Sequence, residues 1–180
     1  MSGHSKWANI KRKKEVSDSK KGKMFSKMSK LISVAAKSGA DPESNPKLRL
    51  AVERAKEARM PKENIDRAIA KGSGQGGTNE FFETVYEGFG PNGEAFYIRA
   101  LTDNLNRTVA EIRNIFSKHG GSMGGLGSTS YIFLPDPENP SYTIKIDDRG
   151  LAGKLESLLE EIDDHDDVQD VFVNFELPEE

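Results

Sequence analysis

Residues 72–79 read Gly-Ser-Gly-Gln-Gly-Gly-Thr-Asn, and on either side of them both the charge and the hydrophobic period change. Residues 1–72 hold 19 Lys and Arg against 8 Asp and Glu, a net of +11. Residues 73–180 hold 7 against 21, a net of −14, and the overall formal charge of −3 conceals the division. A glycine-rich, nearly apolar-free stretch is a flexible connector when nothing packs on it. The sequence therefore predicts a basic domain over 1–72, a hinge over 73–79, a second domain over 80–176 and an acidic tail over 177–180. The 180 residues suffice for two small domains. Charge asymmetry of this kind predicts one part that faces a polyanion and another that faces something else.

Before the hinge the apolar residues recur at helical spacing. Met24, Phe25, Met28, Leu31, Ile32, Ala35 and Ala36 form one face of a helix whose remaining surface carries Lys20, Lys21, Lys23, Lys27 and Lys30. Gly39 is a stop signal, and Asn45-Pro46 reads as an N-cap followed by a first-turn proline. Leu48, Ala51, Val52 and Ala55 make the next stripe. Pro61, with Glu63 and Asp66 behind it, opens a third helix carrying Ile65, Ala68 and Ile69, which Gly72 ends. With a short basic segment over 9–16 this is a small helical bundle.

Beyond the hinge the period becomes that of strands. Segments 84–88 and 94–101 flank Phe89-Gly90-Pro91-Asn92-Gly93 and read as a hairpin. Asn106 is the expected cap of a helix with inner residues Val109, Ile112, Ile115 and Phe116, stopped at Gly120. Strands are expected over Thr129–Leu134 and Tyr142–Ile146, then a helix with Leu151, Leu155, Leu158, Leu159 and Ile162, then a strand over Val168–Phe175. From the second strand onward the order is β-α-β-β-α-β. The fold class is α+β, a basic helical bundle followed by a ferredoxin-like α/β domain.

Several chemistries are disfavoured. Without cysteine the chain has no disulfide, thiolate metal site or Cys nucleophile. His4, His119 and His165 fit no triad order and no HExxH spacing. The glycine run lacks the Lys-Ser/Thr of a phosphate loop. The run Asp163-Asp164-His165-Asp166-Asp167 lacks Ca²⁺-loop spacing and reads as a solvated turn. The expectation is a non-enzymatic protein with no cofactor and no metal. No apolar run reaches the ~20 residues of a membrane span, and the N-terminus lacks the apolar stretch of a secretory signal, so the expected location is the cytoplasm, away from membranes.

The densest functional signal is the cationic series at the start of the chain: His4, Lys6, Trp7, Asn9, Lys11, Arg12, Lys13 and Lys14, continued by Lys20, Lys21, Lys23 and Lys27. Such side chains displace counterions from phosphates and give affinity without base specificity. Trp7 can stack on a base, or anchor the N-terminus on the helical core.

The stretches GHSKWANIKRKK, KKGKMFSKMSKLISVAAKSG, NPKLRLAVERAKEARMPKENIDRAI, ETVYEGFGPNG, LTDNLNRTVAEIRNIFSKHGG and DDVQDVFVNFE closely resemble the YebC family, in order and over nearly the whole chain. The resemblance implies an N-terminal helical domain and two α/β domains, the third inserted within the second. Family members are described as DNA-binding transcriptional regulators, and others act in translation at the ribosome, at stretches such as consecutive prolines. The signature falls on His4–Lys11 and on Asp103, Asn104, Asn106, Arg107 and Thr108, then Ser117, Lys118, His119, Gly120 and Gly121. Arg107 projects at that helix start as a phosphate or carboxylate partner, and with Lys118 it joins the expected nucleic-acid contacts.

This chain departs from the family where the inserted domain belongs, because only Pro135–Pro140 separates two predicted strands; the third domain is expected to be absent near 135–141. Gly124-Gly125 replaces a more polar pair, and Tyr131 stands where Trp is frequent. The expected partner is DNA, for a transcriptional regulator, or ribosomal RNA and with it the ribosome, for a translation factor. A third reading is a protein-interaction module whose acidic half binds a basic partner.

Overall fold

Asn45 organises the first helical corner in the computed structural model, which describes residues 18–75 and 80–178. Its side-chain oxygen accepts the Leu48 N–H at 3.1 Å, and its amide donates to the carbonyls of Ala35 (2.7 Å) and Gly39 (2.8 Å). One buried side chain thus ends helix α1 (Asp18–Ala36) and starts α2 (Pro46–Glu57). Helix α3 (Lys62–Ala70) follows, with Pro61 one residue earlier than expected, at the cap itself. The predicted segment over 9–16 lies outside the described residues, as do residues 76–79 of the predicted hinge. The described residues fall into two compact units that divide between Phe81 and Phe82.

The helical unit buries Ile32 and Ala36 of α1, Leu48, Ala51, Val52 and Ala55 of α2, and Ile65 and Ala68 of α3, with Met60 between the last two helices. Four alanines in so small a core let the helix backbones come close. Ser33 is buried and donates to the Ala68 carbonyl at 2.9 Å. At Gly72, just past α3, a Cβ would lie 2.1 Å from the Ser33 carbonyl oxygen. The glycine read as a helix stop therefore has a different task, allowing the chain to press against α1. The turn Lys71–Gln75 that contains it is kinked at Gly74, where φ is 101°.

In the second unit, β1 (Phe82–Phe89) and β2 (Ala95–Thr102) form the predicted hairpin, paired from Phe82↔Thr102 to Phe89↔Ala95. Helix α4 (Leu105–Lys118) is capped by Asn104, not Asn106: the Asn104 side chain accepts the Arg107 N–H at 3.0 Å. A two-residue strand β3 (Ser122–Met123), absent from the sequence reading, returns along β1. Then come α5 (Ser130–Phe133), β4 (Ile144–Lys145), α6 (Arg149–Asp163), β5 (Val168–Val173) and β6 (Phe175–Glu176).

The sheet order is β3-β1-β2-β5, antiparallel throughout. This is the spatial arrangement of a ferredoxin-like sheet, but the chain fills it differently. The central place that a ferredoxin-like order gives to 142–146 is taken by β1, the strand that precedes that order in the sequence. Only Ile144–Lys145 of the expected strand forms, and it pairs in parallel with β6 in a separate two-stranded sheet. The last predicted strand divides at Asn174, whose side chain accepts the Ala95 N–H at 2.8 Å while its carbonyl accepts the Ile144 N–H at 2.7 Å. Leu177, expected in a frayed tail, packs against the core.

Alternation along the strands builds two cores. Tyr86, Phe96, Ile98, Val171 and Val173 face α4 and α6, meeting Ile112, Phe116, Leu155, Leu158 and Ile162. The Phe96 and Phe116 rings meet edge to face at 5.4 Å. On the other face Ala95, Tyr97 and Phe172 are covered by Ile132 and Phe133 of α5.

The predicted strand over Thr129–Leu134 is helical because of Glu87. This β1 carboxylate is 2% exposed and accepts the N–H groups of Gly127 (2.6 Å), Thr129 (2.8 Å) and Ser130, together with the Thr129 hydroxyl (3.1 Å). Those amides are the unpaired donors of a helix start, and a buried anion that satisfies them coils the segment. Burial alone would raise the Glu87 pKa, but the three amides and the hydroxyl outweigh it and hold the carboxyl below its ordinary value.

Gly72→Ala should destabilise the chain by about 1–3 kcal/mol by overpacking. Gly22→Ala, in an exposed part of α1 where a Cβ meets nothing within 4 Å, should stabilise it by about 0.5–1 kcal/mol. Urea midpoints of opposite sign are expected, and equal shifts would contradict the close approach. Glu87→Gln should cost about 3 kcal/mol at neutral pH, because a neutral amide cannot accept four donors. With the folded-state pKa lowered, the unfolded chain takes up the proton first. The Glu87 contribution is therefore complete well above the ordinary carboxylate range and is lost from about pH 5 downward. Wild type should lose more stability than Glu87→Gln between neutral pH and pH 3; parallel losses would exclude the carboxylate.

Candidate nucleic-acid interface

The cations of α1 derive their arrangement from helical spacing. At 100° per residue, Lys20, Lys23, Lys27 and Lys30 fall within an arc of about 80°. The buried residues Ile32 and Ala36 and the partly buried Phe25 and Met28 lie on the other side of the helix. Lys20, Lys21 and Lys23 are exposed, and Lys27 is half-buried. The only acid on α1 is Asp18, in its first turn, against five lysines. Across residues 18–75 there are 14 Lys and Arg and 7 Asp and Glu, so the described part of this unit keeps a net charge of +7. His4, Lys6, Trp7, Asn9, Lys11, Arg12, Lys13 and Lys14 lie outside the described residues.

Arg107 and Lys118 belong to the other unit, three turns apart on α4, and both are held by carboxylates. The Arg107 guanidinium lies 2.9 Å from Asp103 and 2.9 Å from Asp167. The hydrogen bond to Asp167, then that to Asp103, raises its pKa further above an already high value. The Asp167 side chain is 6% exposed and also accepts the Thr108 hydroxyl at 2.7 Å. The Thr102 and Thr108 hydroxyls are 2.7 Å apart, and the Asn104 N–H donates to Thr102. The corner between β2 and α4 is thereby fastened to the start of β5. Asp167, read from the sequence as part of a solvated turn, is instead a buried anchor.

Lys118 lies 3.1 Å from Glu161 of α6, and the His119 Nε2 lies 2.6 Å from the same carboxylate. The bond from His119 is the largest influence on Glu161, whose pKa is lowered despite some burial. His165 Nε2 lies 2.7 Å from Glu111 of α4. Potential metal-ligating atoms of Glu111, His165 and Asp167 come within 4.8 Å of one another. Each already has a protein partner, and the Arg107 cation stands against Asp167.

The N-terminal domain model of the TACO1/YebC proteins matches residues 5–75, and the model of their second and third domains matches residues 81–135. The chain belongs to the TACO1/YebC family. A probable transcriptional regulatory protein of Dictyoglomus thermophilum is 40% identical over 244 residues, covering all of this chain and 98% of the relative. Against the 180 residues here, that comparison leaves 64 positions of the relative without a counterpart. A relative of the same description from Carboxydothermus hydrogenoformans is 52% identical over 148 residues, 78% of this chain and 61% of the relative. In structure, a conserved hypothetical protein of Aquifex aeolicus superposes with a TM-score of 0.80 at 34% identity, covering 91% of this chain and 93% of the other. Among the described residues, no helix is long and apolar enough to cross a membrane.

The sequence allows a carboxylate partner for Arg107, and two hold it, Asp103 four residues away and Asp167 sixty; the Lys118 partner, Glu161, lies 43 residues away and leaves no local signal. If Arg107 serves chiefly as a clamp, Arg107→Ala should cost about 1–2 kcal/mol in urea unfolding, because buried Asp167 loses its cation. Adding Asp167→Asn should recover part of it. Unchanged stability with weakened nucleic-acid binding would make Arg107 a phosphate contact instead.

Proposed function

We propose that this chain is a nucleic-acid-binding regulator of gene expression that grips phosphates through its helical unit. The observation that carries the reading is α1, with five lysines, one acid and Lys20, Lys21 and Lys23 exposed. A cationic stripe on a rigid helix can follow a phosphate backbone, and its affinity comes from counterion release. Transcriptional regulation of DNA is the preferred role, in keeping with the relatives' names. The site of action on this reading is the cytoplasm. His4, Lys6, Trp7, Asn9 and Lys11–Lys14 extend the same cationic series toward the N-terminus.

The domain plan is part of the proposal. The 64 unmatched positions are assigned to the turn Pro135–Pro140, where the second-and-third-domain match ends. That turn is closed by the Ser141 N–H donating to the Ile132 carbonyl at 2.7 Å and by Asp136 accepting from Asn139 at 2.6 Å. Phosphate binding by the helical unit does not require the missing residues.

The test is the triple substitution Lys20→Glu, Lys21→Glu and Lys23→Glu. It should weaken binding to every nucleic-acid sequence and flatten the plot of log affinity against log salt by about 2–3 on duplex DNA. Unchanged affinity and slope would sink the assignment. Gradient fractionation of a lysate separates the two settings. Cosedimentation with ribosomal subunits at moderate salt favours a translation factor, whereas a promoter footprint with the protein at the top of the gradient favours transcription.

A further inference from the structure

Two stripes face each other where α1 and α3 meet. On α1, Ser26, Ser29, Lys30 and Ser33 share one face at spacings of three and four; on α3 and just past it, Asn64, Arg67 and Lys71 do the same. The helices are drawn together at one level by the Ser33–Ala68 hydrogen bond and the contact at Gly72. Beside that contact lies an open groove of about 410 Å³. Its cations are Lys30, Arg67 and Lys71, and among the described residues that line it there is no carboxylate. Phe25 and Phe81 add two aromatic rings, and the Lys30 ammonium lies 5.5 Å from the centre of the Phe81 ring.

We propose that this groove binds one unstacked nucleotide of a single-stranded nucleic acid, its base on Phe81 and its phosphates on Arg67 and Lys71. The proposal rests on the nucleic-acid reading above and specifies where and in what form the strand is held. Three features favour this occupant. Arg67 and Lys71, in a groove whose described lining holds no carboxylate, suit a polyanion. The volume falls within the ~300–1,000 Å³ of sites that take small molecules, and the hydroxyl and amide groups of Ser26, Ser29 and Asn64 can pair with base edges or sugar oxygens. The groove also borders the cationic stripe: on the helical wheel Ser26 lies only about 40° beyond Lys30. A backbone following Lys23, Lys27 and Lys30 would pass along the rim, so a base turned inward would meet the rings. This is the combination of cationic track and aromatic platform that single strands use. A duplex, whose bases are already stacked, can use the track but not the groove.

The test measures fluorescence anisotropy of the full chain with labelled oligouridine, oligothymidine and a blunt DNA duplex. Phe81→Leu keeps apolar bulk and removes the ring; Arg67→Gln with Lys71→Gln changes only exposed side chains, so at least one variant retains the fold. Phe81→Leu should weaken single-strand binding about tenfold and duplex binding less than twofold. The double substitution should weaken single strands more than duplex. Equal loss on both oligonucleotides indicates any unstacked strand, and loss on oligouridine alone indicates RNA. Unchanged single-strand binding in both variants, or equal losses on strand and duplex, would overturn the groove while leaving the phosphate-binding reading intact. A wild-type chain that binds none of the three would overturn both.

Discussion

The close approach of α3 to α1 determines what the helical unit can present. Ser33 spends its hydroxyl on the Ala68 carbonyl, and Gly72 admits the Ser33 carbonyl where any side chain would collide. With the backbones pinned there, the apolar faces of α1, α2 and α3 close over Ile32, Leu48 and Ile65. Lys20, Lys23, Lys27 and Lys30 are then left on the opposite side of the helix as a matter of geometry. A looser contact would let α1 rotate, and each 100° of rotation would exchange a lysine for a core residue. The charge pattern is thus held in register by packing, through the smallest residue in the unit.

The second unit uses its charges in the opposite way. Arg107, Lys118, His119 and His165 are set against Asp103, Asp167, Glu161 and Glu111. These pairs tie α4 to α6 and to the turn before β5, around a core that ends at Ile162 and Val168. The exposed pairs contribute little individually, whereas the buried Asp167 carboxylate requires its donors. Acidic residues are in excess here, with 18 Asp and Glu against 7 Lys and Arg over 82–178, and Arg107 and Lys118 of α4 both find carboxylates. The side-chain types that stand exposed on α1 serve in this unit as internal fasteners.

Local signals were legible in the sequence wherever the cause was local. Asn45-Pro46 predicted the start of α2, the apolar stripes predicted the three helices, and alternation about Phe89–Gly93 predicted the β1–β2 hairpin. The misreadings have tertiary or side-chain causes that propensity does not record. Residues 129–134 have the β-branched and aromatic content of a strand, yet Glu87, some 42 residues earlier, captures their amides and makes a helix. The segment 142–146 lost its central position because β1 was already adjacent to β2 through a short turn, and near neighbours pair at lower loop-closure cost. Asn104 prevailed over Asn106 as cap because the hydroxyls of Thr102 and Thr108 lock the corner two residues earlier. In the candidate interface the lysine run was plain, but the groove was not. Ser26 and Arg67 become neighbours only after α1 and α3 pack, and no short-range pattern records that pairing.

The family likeness and the electrostatics bear on different levels of function. Relatives covering the whole chain give the fold and a regulatory context, whereas the lysine stripe concerns phosphates and is indifferent to sequence. A stripe alone treats DNA and RNA duplexes nearly alike, because both present regularly spaced charge. Selectivity needs a second feature whose geometry depends on the state of the bases. On the proposed reading the groove beside the stripe would have that property, since a base must leave its stack to enter, and the cost of unstacking is least where the strand is already single. Coupling a non-selective track to a selective recess would let the unit associate through long-range charge and discriminate only on close contact. Because the recess is created by the same α1–α3 contact that holds the lysines outward, loosening that contact would impair both steps together.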